Sequence, residues 1–418
     1  MVEVIYVLLG IGIILFLGYL AEFLFKKTKI PDVLILILIG FIIGPHVLNY
    51  FNPKSISEYA PIFTTFTLLF LLFEGGIKLN IKTIIEGTIK TLNMTLINFF
   101  ISSILISLLM LIAGFNILIS LLTGFILGGI SSAFVIPIVN NLEIKKETKS
   151  ILTLESALTD VLCIVFAFSI MEIITSKSVN IISSIKTLLL LFLIAGIIGI
   201  IAGLIWIFIV TAVFKMNTPI MLTIAYVILV YVISELIGGN GAIATLFTGI
   251  TLNNSKDITR KILLLFYQND KETEEIHGVI AITHRDSNFY EQVSFFLKTF
   301  FFVYIGVLFN VENIPLLIIG IGISTIIMYS RKISYFVMKN SPEYDVLITQ
   351  VTFARGLAAA AIVQIIITKN IPYAMEIATI TYNVIIFTII LSSIMIFLVN
   401  KGLYKGFIAK KLIEKNKT

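Results

Sequence analysis

Hydrophobic positions in this chain fall in long blocks separated by short polar stretches, without the period-two alternation of half-buried strands. Thirteen such blocks are legible, roughly at 4–25, 33–51, 61–77, 92–114, 117–140, 150–175, 187–214, 218–237, 240–253, 290–309, 313–330, 343–368 and 372–400. A helix of about 20 apolar residues crosses the hydrocarbon core of a bilayer, and packed or broken segments manage with fewer. The pattern therefore predicts an all-α polytopic membrane protein with thirteen transmembrane helices. The first block is preceded by Glu3 and followed by Lys26, Lys27 and Lys29, the reverse of a secretory signal, so it is read as a span.

Charge supplies the orientation. If the N-terminus is outside, the inner loops and tail hold 24 of the 30 lysines and arginines and the outer loops hold Lys54, Lys177, Lys186 and Lys369. This asymmetry predicts a multi-pass protein of the cell membrane with its C-terminus in the cytoplasm. It also accounts for the net charge of +6 without a nucleic-acid partner. Composition agrees: 58% of residues are hydrophobic and 13% charged, where soluble domains carry about 25% charged residues. The single cysteine, Cys163, lies in an apolar block and is read as packing. The only long polar connection, 254–289 on the cytoplasmic side, carries His277 and His284 and an amphipathic stretch, 258–266, suited to the membrane surface. Its histidines match no metal spacing. No nucleophile–base pair stands out either, so neither an enzyme nor a cofactor is expected.

Two basic residues, Lys298 and Arg355, remain inside blocks, and so do several carboxylates. Ionisable groups inside a membrane segment cost about 2.5–3.5 kcal/mol even on lenient scales, and they mark ion paths. The densest cluster is at 128–160. Gly128, Gly129, Ser131 and Ser132 interrupt one block, which frees backbone carbonyls for a cation, and the next block carries Glu155, Ser156, Thr159 and Asp160. At about 100° per residue those four side chains occupy one polar face, but Glu155 stacks with Thr159 and Ser156 with Asp160, so the two acids point differently. Arg355 cannot be neutralised and needs a partner in low dielectric. Glu155 is the expected partner, leaving Asp160 to bind and release ions. Glu74 is either a carboxylate at the cytoplasmic mouth that attracts or gates cations or an interfacial neighbour of Lys78. Lys298 is either a counter-charge to Asp160 and a second titrating group, or a side chain that snorkels. The small residues Ala195, Gly196, Gly199, Ala202 and Gly203 make a surface for close helix contact, within one subunit or between two.

Taken in order, Pro31-Asp32 leading to Gly40-Phe-Ile-Ile-Gly44-Pro45, Leu72-Phe-Glu74-Gly75, Glu155-Ser156-Ala-Leu-Thr159-Asp160, Phe302-Val-Tyr-Ile-Gly306 and Ala354-Arg355-Gly356 resemble the signatures of the monovalent cation:proton antiporter superfamily, the sodium/proton exchangers. The resemblance covers nearly the whole chain. It implies a homodimer in which two inverted three-helix repeats, 92–175 and 313–400, form the ion-transport core. Residues 1–77 and 218–309 would then be scaffold and dimerisation helices. It further implies that the fifth and twelfth spans are broken and cross, and that the core moves as an elevator. By analogy Asp160 carries Na+ (or Li+ or K+) and the proton, Ser156 is a ligand, and Thr159, Ser131 and Ser132 line the site. The exchanger pattern has Thr-Asp-Pro where this chain has Ile130-Ser131-Ser132, and Asn where it has Thr159; Ser-Ser-Ala is nearer the potassium-efflux branch, which opens the choice of ion.

Burial disfavours an ionised carboxyl and a bound cation favours it, so proton and metal ion compete for one charge. The expected function is exchange of Na+ (or Li+) for H+. Potassium/proton exchange on the same machinery is the first alternative and a sodium-coupled organic-anion symporter the second. A symporter would need a further cationic group for the anion.

Overall fold

In a computed structural model the described residues are 2–28, 31–45, 47–50, 60–79, 89–176, 181–213, 220–266, 279–309 and 312–404, and they contain helices and no strand. In chain order the helices are α1 Val2–Thr28, α2 Asp32–Ile43, α3 Ala60–Lys78, α4 Ile89–Ile112, α5 Ile117–Ile126, α6 Ser132–Asn141, α7 Lys146–Ser176, α8 Ile181–Ala212 and α9 Ile220–Leu236. They continue as α10 Gly241–Asn253, α11 Ser255–Phe266, α12 His284–Leu308, α13 Ile314–Ser330, α14 Ser334–Met338, α15 Glu343–Val351, α16 Leu357–Thr368 and α17 Ala374–Asn400. A 3₁₀ turn, Arg331–Ile333, joins α13 to α14. Among the described residues, seven helical segments are long and apolar enough to cross a membrane, including Ile89–Ile112, Lys146–Thr175 and Ala374–Asn400. Each of the thirteen predicted blocks holds helix.

Two blocks hold a pair of half-helices instead of one helix: α5 with α6, interrupted at 127–131, and α15 with α16, interrupted at 352–356. Boundaries shift elsewhere for local reasons. The second block, expected to run to 51, is helical only to Ile43, because Pro45 disfavours the helical conformation at Gly44. The connection at 254–289 is less open than expected: α11 fills 255–266 and α12 begins at His284. Residues 267–278, with His277, and His46 lie outside the described residues.

Contacts divide the chain into two units, Met1–Thr64 with Ile89–Thr175 and Lys298–Thr418, and Thr65–Thr88 with Ser176–Leu297. The first unit therefore contains the segments 92–175 and 313–400, together with residues 1–64 and 298–312. Each repeat is a long helix, a broken pair and a second long helix: α4, α5/α6, α7 and α13, α15/α16, α17. Small residues let the helices of the first repeat close up. A Cβ on Gly124 would lie 2.1 Å from the Ser107 hydroxyl of α4, and one on Gly128 would lie 2.2 Å from that of Ser103.

Also in this unit, α2 crosses the C-terminal part of α12 at backbone contact. A Cβ on Gly40 would stand 2.0 Å from the Val303 carbonyl oxygen and 2.9 Å from Gly306 Cα. Gly12 of α1, by contrast, has open space around it. Gly40→Ala is expected to cost about 1–3 kcal/mol, the usual penalty for overpacking, and Gly12→Ala to be neutral. Thermal unfolding of the two variants in detergent checks the difference; equal midpoints would disprove the crossing.

In the second unit the glycine stripe of α8 meets α10 of the same chain. Gly199 abuts the Ala244 carbonyl and Gly203 the Thr251 side chain, and Tyr226 of α9 donates to the Ala202 carbonyl at 2.7 Å. The contact left open by the sequence is thus formed within one subunit. Within the polar connection, α11 is pinned by two of its hydroxyls: Thr259 accepts from the Val279 N–H at 2.8 Å and Ser255 from the Ala281 N–H at 2.9 Å.

Candidate functional site

Breaking a helix inside apolar surroundings strands backbone donors and acceptors, and each must find a partner. Here the two breaks satisfy one another. The Ser131 N–H donates to the Ala354 carbonyl at 2.9 Å, and the Arg355 guanidinium donates to the Gly129 carbonyl. Gly356 makes the approach possible, since a Cβ there would lie 2.1 Å from the Ser131 hydroxyl. Three further N–H groups go to the long helices. Ile130 donates to the Thr159 hydroxyl of α7 at 3.1 Å and Arg355 to the Thr388 hydroxyl of α17 at 3.0 Å. Ser392 of α17 accepts from the Phe353 N–H at 3.5 Å and donates to the Val351 carbonyl at 2.5 Å.

Asp160 sits beside the first break. Ser132, the first residue of α6, donates its hydroxyl to Asp160 Oδ2 at 2.6 Å. The carboxylate thus lies at a helix N-terminus, where the helix dipole favours negative charge. Asp160 is half-buried and, among the described residues, forms no ion pair. Thr159 is spent on the break: its hydroxyl accepts from Ile130 and faces the Ser156 carbonyl at 3.2 Å. Ser156 is fully buried and turns its hydroxyl back to the Thr153 carbonyl at 2.9 Å. The Ser131 hydroxyl is buried without a partner.

Glu155 is not paired with Arg355. Arg331 takes that place, reaching Glu155 with both terminal nitrogens, Nη2 at 2.8 Å from Oε2 and Nη1 on Oε1, while its Nε donates to the Thr349 carbonyl at 2.9 Å. Asn98 of α4 adds Nδ2 to Glu155 Oε1 at 2.9 Å. Glu155 and Arg331 are both buried, and this fork joins the first repeat to the second. Arg331 stands directly after the block 313–330 and is one of the 24 basic residues that the charge pattern assigns to the inner loops and tail. The 3₁₀ turn instead carries it inward. No spacing in the sequence links Asn98 or Arg331 to Glu155; the several hydrogen bonds that a buried carboxylate accepts signal only that such partners are needed.

Lys298 and Glu74 are also accounted for. The Lys298 ammonium donates to Asp32 Oδ2 at 2.8 Å, in a pair of which both members are largely buried, so its counter-charge is Asp32 at the start of α2. Glu74 belongs to the second unit. It accepts from Lys78 at 2.6 Å and from the Ser294 hydroxyl, and Glu291 lies 3.5 Å from the same ammonium. No group of three or more His, Cys, Asp or Glu suited to a resident metal occurs among the described residues.

A helical membrane chain whose two repeats each break at the point where they touch, with one carboxylate at the crossing, has the architecture of a secondary transporter for a cation. The chain belongs to the family of transmembrane sodium/hydrogen exchangers, whose model matches residues 12–401. It is accordingly a multi-pass membrane protein of the cation/proton antiport class. Its fold is similar to that of the sodium proton antiporter MjNhaP1 from Methanocaldococcus jannaschii at pH 8, with a TM-score of 0.73 and 22% identity over 96% of this chain and 100% of that one. A structure of the same antiporter from an electron-microscopy map matches with a TM-score of 0.69, at 20% identity over 96% and 99% of the two chains. No curated protein matches the chain.

Proposed function

We propose that the protein exchanges Na+ (or Li+) for H+, with Asp160 carrying either ion in turn. The observation that supports this is the contrast between the two acids of α7. Glu155 is saturated by Arg331 and Asn98, whereas Asp160 has one hydroxyl partner, no cationic neighbour within ion-pair distance among the described residues, and partial exposure. A bare carboxylate is costly to move through apolar surroundings. Either a proton or a monovalent cation removes that cost, so only loaded forms cross and the two fluxes are coupled without ATP. Ser132, with carbonyls of the break, supplies the remaining ligands. Glu74, held between Lys78 and Ser294, serves as the acidic group of the cytoplasmic mouth.

The same reading has the repeats 92–175 and 313–400 carry the ion as an elevator, with 1–77 and 218–309 as scaffold, in a homodimer embedded in lipid, with the N-terminus outside and the C-terminus cytoplasmic. Potassium is the alternative cargo, favoured by the hydroxyls of Ser131 and Ser132 where the exchanger pattern has a second carboxylate. An organic-anion symporter is disfavoured, because the Arg355 guanidinium donates to the Gly129 carbonyl. Proton flux from reconstituted liposomes on addition of Na+, Li+ or K+ tests the reading: Na+ and Li+ should drive proton movement, and a response to K+ alone would overturn the assignment.

One mobile charge at the crossing also sets the stoichiometry. With Lys298 neutralised by Asp32, Asp160 is the single exchanging group, and one proton leaves for each cation. Exchange is therefore expected to be insensitive to an imposed membrane potential. A rate that follows valinomycin-clamped voltage would refute this, and loss of that response in Lys298→Gln would identify the second titrating group.

A further inference from the structure

The two breaks are handled by the same device in the two repeats. Aligning the first residues of the second half-helices, Ser132 and Leu357, brings Ile130 onto Arg355 and Ser131 onto Gly356. The Ile130 N–H goes to Thr159 of α7 and the Arg355 N–H to Thr388 of α17, so Thr388 is the counterpart of Thr159. Each hydroxyl in turn donates back to its own helix, Thr388 to the Val384 carbonyl at 2.7 Å. The symmetry stops one residue later, where the first repeat has Asp160 and the second has Ile389.

We infer that Thr388 is a positioning residue for cation binding at Asp160, although its helix has Ile389 in the place of that acid. The connection is continuous. Thr388 fixes the Arg355 backbone, the Arg355 guanidinium holds the Gly129 carbonyl, and the next residue, Ile130, is held by Thr159 beside Asp160. The Ser131 N–H, bonded to the Ala354 carbonyl, closes the link from the other side. Removing the Thr388 hydroxyl leaves a buried Arg355 N–H without an acceptor and releases the peptide that carries the guanidinium. Arg355 Nε already lacks a hydrogen-bond partner, so few hydrogen bonds hold this side chain in place. The first break then loses the clamp that orients its carbonyls, and the cation site loses preorganisation before the carboxylate itself is touched.

The inference rests on Asp160 as the ion carrier, and the test separates the two. In liposomes, Thr388→Val, which keeps the side-chain shape and removes the acceptor, should raise the KM for Na+ roughly tenfold, the effect of about one buried hydrogen bond, with Vmax within about twofold of wild type. Thr388→Ser, which restores the hydroxyl, should return KM to the wild-type value. A wild-type KM in Thr388→Val, equal defects in the Val and Ser variants, or failure of both Thr388→Val and Thr388→Ala to yield folded protein would each overturn the proposal, the last by making Thr388 a purely structural residue. Transport surviving in Asp160→Asn would instead remove the carrier assignment, whatever the Thr388 variants do.

Discussion

Asp160→Asn is expected to reduce exchange to background while folded protein still reaches the membrane. Asparagine matches the aspartate in size and can still accept the Ser132 hydroxyl hydrogen bond, so the local packing survives. It cannot take up a proton at working pH or neutralise a cation. An ion that leaves water without a counter-charge loses several kcal/mol, and about 2.8 kcal/mol already corresponds to a hundredfold loss of binding. Initial rates of Na+-driven proton flux in liposomes, normalised to protein incorporated, measure the effect. Wild-type rates would mean that the ion is carried elsewhere, and aggregated protein would mean that Asp160 is needed for folding.

The second large effect concerns Glu155 and Arg331, and it is one of stability. Glu155 is buried beneath a two-pronged guanidinium and an amide, and removing one partner of such a pair leaves an uncompensated charge that costs about 3–5 kcal/mol. Glu155→Ala and Arg331→Ala should each lower the thermal midpoint of the detergent-solubilised protein by similar amounts. The double variant should melt well above the sum of the two losses, because neither charge then remains stranded. Arg355→Ala should be milder, since it removes a charge-assisted hydrogen bond to the Gly129 carbonyl, an interaction of about 1.5–3 kcal/mol. A double-mutant cycle decides between the two arginines: coupling of Glu155 to Arg355 larger than to Arg331 would contradict the arrangement described.

Much of the architecture is local in origin and therefore legible in sequence. Apolar blocks long enough to cross a bilayer have few alternatives to helix, because a backbone inside hydrocarbon must satisfy its own hydrogen bonds. The first break announces itself as Gly128, Gly129, Ser131 and Ser132 within such a block. The separation of Glu155 from Asp160 follows from helical geometry alone.

Partners were another matter. An arginine inside a block advertises a need for a carboxylate, but Glu155 is 176 residues from Arg331 and no period or spacing encodes which of two arginines reaches it. The choice fell to tertiary structure: the turn after α13 carries Arg331 inward, and the pairing of the breaks directs Arg355 to a backbone carbonyl. Lys298 is likewise matched to Asp32, in a contact between α2 and α12 that also depends on the glycine crossing at Gly40 and Gly306. The α8 stripe was legible as a contact surface but not as one facing α10. Sequence by itself determined where helices form, where one of them breaks and which charged residues fall within the apolar blocks, because helix propensity, hydrophobicity and the cost of a buried charge act residue by residue. Only the tertiary structure decided which charges neutralise one another and which acid stays without an ion-pair partner, because those outcomes depend on distances between segments remote in the chain.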